Sequence, residues 1–168
     1  MKKIFLYLLS LGITISCFSQ MDSTVLPPYK RSRLVPAFDL LMTDSVSHYT
    51  RNDLPSSKPV LIILFDPNCD HCQHETEEIL KNIDSLRNIE IVMATNADFA
   101  DLKKFYQHYD LEKFKNIKAG IEPKSYLATF FAIHNLPYLA MYNGHGVLLR
   151  THEGGMKVEN IVKVFQLD

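Results

Sequence analysis

The chain has no tryptophan, no block of basic residues and only three cysteines. Lysine and arginine number 18 against 19 acidic residues, a net charge of −1, so there is no electrostatic footprint for nucleic acid. Internal repeats and low-complexity segments are absent as well. No apolar run reaches the about 20 residues that a membrane-spanning helix needs. What is present is the composition of an ordinary globular protein, 46% hydrophobic and 22% charged. Its 168 residues suffice for one domain with a real core and give no sign of two.

The longest apolar run is at the start. Lys2-Lys3 precedes Ile4 to Ile15, and the short residues around Ser16-Cys17-Phe18-Ser19 follow. That is the layout of a secretory signal peptide, expected to be cut after Ser19 so that Gln20 becomes first. In the rival reading Cys17 is the lipid-modified first residue of an anchored lipoprotein. Thr14-Ile15-Ser16-Cys17 fits that loosely, because Thr14 stands where such signals usually carry an aliphatic residue. On the preferred cut only Cys69 and Cys72 remain. An exported protein can keep them as a disulfide, but so short a loop constrains little of the unfolded chain. A purely structural staple is therefore the weaker reading.

The two thiols sit in Phe65-Asp66-Pro67-Asn68-Cys69-Asp70-His71-Cys72, after the apolar run Val60–Leu64 and before a segment of helical periodicity. A thiolate at a helix start is stabilised by free N–H groups and the positive end of the macrodipole. Cys69 is accordingly the expected nucleophile, and Cys72, one turn in, the resolving thiol. C-x-x-C beside a β-α-β pattern is a thioredoxin-like sign.

The remaining chain supplies that pattern. Residues 20–34 are polar, with Pro27-Pro28 and the Lys30-Arg31-Ser32-Arg33 cluster, and predict a flexible linker. Val35–Leu41 and Ser47–Thr50 predict two short strands, and Val60–Phe65 a strand buried on both faces. Cys72, Thr76, Ile79, Ile83 and Leu86 recur at helical spacing, and Ile89–Ala94 predicts a parallel second core strand. A helix carrying Phe99, Leu102, Phe105 and Tyr109 follows; residues 111–121 are ambiguous, with a short strand near Ile117. Pro123 is placed for the first turn of another helix. Pro137–Tyr142 and Gly146–Thr151 predict strands around the Asn143-Gly144 hairpin signal. Gly154-Gly155 breaks the pattern before an amphipathic helix on Val158, Ile161, Val162 and Phe165.

From about Val35 onward this order resembles the thioredoxin superfamily, and in particular its exported TlpA/ResA-like branch of thiol-disulfide oxidoreductases. Val35-Pro36-Ala37-Phe38-Asp39-Leu40 is similar to that branch's opening strand, Cys69-Asp70-His71-Cys72 falls on its redox motif, and Asn135-Leu136-Pro137-Tyr138 falls on its cis-proline loop. The resemblance implies an α/β fold: a thioredoxin-like three-layer sandwich with a mixed sheet flanked by helices and an N-terminal β extension, spanning 35–168. It also implies a Cys69–Cys72 disulfide as the only redox group, with no added cofactor. Protein thiols or disulfides and a redox partner protein would be its partners, and the branch leans towards reductases. Glu75 occupies the position of the branch's glutamate three residues past the second cysteine. Ile63 departs from the best-known members, which carry a buried acid in the strand before the motif.

Several residues carry two readings. A partly buried Glu75 would have a raised pKa and exchange protons with Cys72; otherwise it steadies the first helical turn. His71, if protonated, would stabilise the Cys69 thiolate and make the disulfide a stronger oxidant, with Asp70 opposing by charge. Leu136 before a cis Pro137 would offer its backbone to an extended substrate; the bland alternative is an ordinary trans proline. The competing function is a copper or zinc metallochaperone using Cys69, Cys72 and His71, His74 or His134, though no second ligand pair has recognisable spacing. Gln73 after Cys72 excludes a c-type haem site, and Asp66 stands where a peroxiredoxin needs threonine. An adaptor without redox activity would not need the intact cysteine pair. The expectation is an exported, periplasmic thiol-disulfide oxidoreductase with no metal, touching a membrane only if lipidated at Cys17.

Overall fold

The computed structural model of the chain describes residues 26–167. The expected signal peptide, Cys17 and the first part of the expected linker lie outside the described residues. Seven strands form one mixed sheet: β1 (Asp39–Met42), β2 (His48–Thr50), β3 (Val60–Leu64), β4 (Glu90–Thr95), β5 (Ile117–Ile121), β6 (Tyr138–Tyr142) and β7 (Leu148–Glu153). Their spatial order is β2-β1-β5-β4-β3-β6-β7. Only the β3–β4 and β4–β5 pairs are parallel. Both parallel links cross over through helices, α2 (Asp70–Lys81) and α3 (Phe99–His108).

β3 is buried along its whole length, as a central strand covered on both faces must be. Alternation along the strands divides the core in two. Leu61 and Ile63 face one layer with Cys72 and Ile79 of α2, Leu102 and Phe105 of α3, and Ile161 of α5 (Val158–Gln166). Ile62 and Leu64 face the other, with Leu127, Phe130 and Phe131 of α4 (Tyr126–Phe131) and Leu40 of β1. The three-layer α/β sandwich expected of the chain is therefore formed. The β1–β2 hairpin is its N-terminal extension, joined to the sheet through β1–β5. This junction requires Gly120: a Cβ there would stand 2.8 Å from Leu40 Cβ and 2.9 Å from the Leu41 carbonyl.

Four local expectations are corrected. The stretch read as a flexible linker is docked in its last part. A short helix α1 (Pro28–Arg31) sets Tyr29 against Phe131 with ring centroids 5.9 Å apart, and Leu34 bridges to Val147. The helix after the motif stops at Lys81, where Asn82 Nδ2 donates to the Glu78 carbonyl, and a separate 3₁₀ turn, Ile83–Leu86, carries the remaining apolar positions. α4 begins at Tyr126 rather than at Pro123. The cause is Glu122, whose buried carboxylate accepts from the Tyr126 and Leu127 amides at 2.9 and 3.0 Å, satisfying two amides at the helix start. The hairpin turn is longer than a two-residue Asn-Gly link. Asn143 Oδ1 accepts from the His145 and Val147 amides, the positive φ falls on Gly146, and β7 begins only at Leu148.

At the end of the sheet where β3 and β4 begin, Val60 pairs with Glu90. Glu90 is buried there, paired with Lys58 Nζ at 2.9 Å, and it accepts from the Tyr49 hydroxyl at 3.1 Å. The opposite end of β3 runs into the cysteine motif.

Candidate active site

β3 delivers the chain to Phe65, and a tight turn then aims it into α2. Asp66 Oδ1 accepts from the Asn68 amide at 2.8 Å, and the Asp66 carbonyl accepts from the Cys69 amide at 3.1 Å. Short acidic side chains favour such turns because they hydrogen-bond their own backbone two residues on. Cys69 is the N-cap residue of α2, with extended backbone. Its carbonyl takes the first helical bonds, from the Cys72 and Gln73 amides, both at 3.0 Å. Asn68 Nδ2 reaches across to Asp101 Oδ2 at 3.1 Å, and Gln73 Nε2 donates to the Pro67 carbonyl at 2.8 Å, so both sides of the turn are tied down.

The two cysteines are free thiols in very different surroundings. Cys69 is part-exposed, whereas Cys72 is 1% exposed in the layer with Phe65 and Ile79. Burial pushes the Cys72 thiol up to about 12; a backbone hydrogen bond from Asp66 opposes the rise, and the Cys69 thiol beside it adds to it. His71 and Asp70 lie exposed in the first turn.

One turn beyond Cys72, Glu75 is buried, at 4% exposure. Oε2 accepts from the Met156 amide at 2.9 Å, while Oε1 is buried without a partner. Burial raises this carboxyl to about 6, only partly offset by that hydrogen bond and by His74. Glu75 is therefore a buried side chain and not a solvated helix-turn residue. Ile63 is buried and opposite Met93 and Leu139.

The Leu136–Pro137 peptide is cis. Leu64 pairs with Tyr138, so Pro137 lies beside Phe65 at the motif end of β3. The loop before it is fastened by Glu153, which accepts from the His134 amide at 3.2 Å and from Asn135 Nδ2 at 3.1 Å. Leu136 packs against both core layers. It also lines a half-open cavity of about 170 Å³ with Leu64, Phe65, Ala94 and Glu122. A larger, more polar groove of about 490 Å³ opens on the other side of the motif, between Pro67, Asn68, Gln73 and Asp101, Phe105, Tyr109.

The structure thus assembles Cys69, Cys72, Glu75, Leu136 and Pro137 at one end of the sheet, with His71 on its rim. The His134 ring is turned to Glu153 at 3.5 Å. Among the described residues no group of three or more His, Cys, Asp or Glu side chains is placed to hold a metal ion. Sequence reasoning missed Gly155 and Met156. Gly154-Gly155 signals a break there, but nothing local says that the next amide caps a carboxylate 81 residues earlier.

No protein-family model matches the chain, and no curated protein sequence does. Solved structures match well. A secreted disulfide oxidoreductase of Mycobacterium tuberculosis, homologous to E. coli DsbE, superposes with a TM-score of 0.65 at 14% identity, over 79% of this chain and 96% of that one. The thioredoxin domain of a thiol-disulfide oxidoreductase from Bacteroides vulgatus gives 0.64 at 18%, over 77% and 93%. The exposed lipoprotein thioredoxin of Streptococcus pneumoniae gives 0.59 at 22%, over 76% and 98%. With its mixed sheet, its C-x-x-C at the strand-to-helix turn and these neighbours, the chain has the thioredoxin-like fold of the DsbE- and ResA-like thiol-disulfide oxidoreductases.

Proposed function

We propose that the protein is an exported thiol-disulfide oxidoreductase acting on protein substrates, running as a reductase. One observation carries this reading: a part-exposed Cys69 and a fully buried Cys72 share the first turn of α2, with a buried carboxyl one turn on. In the reductive half-reaction the Cys69 thiolate attacks one sulfur of a substrate disulfide. A Cys69–substrate disulfide forms, and the substrate's other sulfur leaves as a thiolate that takes a proton. Cys72 then loses its proton and attacks Cys69, forming the Cys69–Cys72 disulfide and releasing the second substrate thiol. A thiol held near 12 needs a base for that step, and Glu75 is the buried carboxyl nearest in sequence. A donor protein restores the dithiol. The disulfide is the only redox group this chemistry requires.

His71, exposed between the cysteines, tunes Cys69 when charged. The substrate polypeptide lies along Leu136 and Pro137, between the two cavities flanking the motif. Export rests on the signal-like layout of residues 1–19 and accords with neighbours described as secreted or as an exposed lipoprotein. It makes the protein periplasmic, anchored only if Cys17 is lipidated.

The test is redox stoichiometry with turnover. Purified protein lacking residues 1–19 should accept two electrons per chain from dithiothreitol and pass them to insulin disulfides. Stoichiometric copper or zinc surviving dialysis against chelator, with no disulfide exchange, would favour the metallochaperone reading instead.

A further inference from the structure

A single peptide group connects the surface of the domain to the buried carboxyl of Glu75. The N–H of that group is Met156's, and it donates inward to Glu75 Oε2 at 2.9 Å. Its carbonyl is Gly155's, and it lies 3.2 Å from His152 Nε2 on the outer side. A carbonyl oxygen only accepts, so Nε2 carries the proton in this contact. The peptide lies unusually close to the acid: a Cβ on Gly155 would stand 3.0 Å from Glu75 Oε2. With Oε1 unpartnered, the Met156 amide is the only hydrogen bond to this carboxylate among the described residues.

Hydrogen bonds in series polarise one another: a donor on the carbonyl makes the N–H of the same peptide a stronger donor. A buried carboxylate with one donor is sensitive to that donor's strength and position. We propose that His152 is a positioning residue for Glu75, acting through the Gly155–Met156 peptide that both of them contact. Its Nε2–H orients the peptide and strengthens the one hydrogen bond that supports the Glu75 carboxylate; a charged imidazole does so more strongly than a neutral one. The surface end of the chain is accessible, because His152 borders an open groove with Arg150, Lys157 and Lys163. On α2 itself, His74 and Glu78 are the groups that act electrostatically on Glu75.

The assignment concerns the ionisation of Glu75 and rests on the functional reading only where it touches rate. The direct measurement is the carbon-13 titration of the Glu75 carboxyl in reduced protein, with His74→Gln as a common background to remove the other imidazole. His152→Ala should raise the midpoint by about one unit, a tenfold drop in acid dissociation constant. His152→Gln places an amide donor near Nε2 and should bring the midpoint most of the way back. Gly155→Ala, which crowds the carboxylate, should move it independently of His152. A midpoint unchanged in His152→Ala overturns the proposal. The same variants then separate the two claims. If the rate of Cys72 resolution follows the displaced midpoint, both stand. If the midpoint moves and the rate profile does not, His152 still positions Glu75, and Glu75 is not the proton carrier.

Discussion

Glu75 Oε2 and the Met156 amide, 81 residues apart in the chain, meet at 2.9 Å one helical turn along α2 from the buried Cys72. That contact ties α2 to the segment leading into α5, and it explains how a carboxyl can be held inside an apolar layer at all. A buried acid with a single hydrogen bond is neither fully stabilised as an anion nor expelled, and burial holds it above the usual carboxylate range, at about 6.

Unequal burial of the cysteines should appear in alkylation. With its thiol pushed up to about 12 and its side chain enclosed, Cys72 should react with iodoacetamide near neutral pH at least ~10²-fold more slowly than Cys69. Cys72→Ser should accumulate mixed disulfides through Cys69, and Cys69→Ser few. Equal labelling of both thiols, read by mass spectrometry, would refute the assignment of roles.

Glu75→Gln keeps the shape of the side chain and removes its titration. Attack by Cys69 should be little changed. The resolution step, followed by release of substrate from a preformed mixed disulfide, should slow by roughly 10²-fold and lose its dependence on a group titrating near 6.

The same residue makes folding stability depend on pH. Its folded pKa, about 6, lies above the ordinary value of 4.5, so the native state binds the proton more tightly than the unfolded chain. This contribution is fully present below about 4.5 and is lost as pH rises through 6, in total roughly 2 kcal/mol. Urea titrations of reduced wild type and Glu75→Gln across that window should diverge by this amount, with the variant the flatter of the two.

At the far end of the sheet, Lys58→Met would leave Glu90 buried with only the Tyr49 hydroxyl as partner. Removing one member of a buried pair typically costs about 3–5 kcal/mol. Because Lys58 is itself a quarter exposed, the lower half of that range is expected from equilibrium unfolding. Thiol reactivity should be unaffected.

Glu122→Ala removes the acceptor for the first two amides of α4. The loss should be about 1–2 kcal/mol. Hydrogen exchange would localise it, with the Tyr126 and Leu127 amides exchanging faster while those of β3 keep their protection. Uniform acceleration across the sheet would show that Glu122 supports the domain and not this helix end.

Much of the architecture is local and therefore legible. The run Val60–Leu64 must be buried on both faces, helical spacing beginning at Cys72 must present one face to it, and two thiols one turn apart at that junction can only be neighbours. Helix ends were less legible, because competing side chains decide them: Asn82 closes α2 early, and Glu122 delays α4 past Pro123. The docking of Pro28–Arg31 was invisible for a related reason. A short polar segment folds only where a distant surface, here Phe131, receives its one aromatic ring.

By itself, then, the sequence determined the order of the elements, the burial of β3 and the placing of Cys69 and Cys72 at a strand-to-helix turn, all consequences of periodicity and chain continuity. Only the tertiary structure decided the environment of Glu75. Whether that carboxyl faces solvent or the core depends on which segment passes over α2. The answer is the Gly155–Met156 peptide, brought there by the packing of α5 on the sheet and admitted so close because residue 155 has no side chain. Ionisation follows from desolvation and from single hydrogen bonds, and both are set by residues far away in the chain.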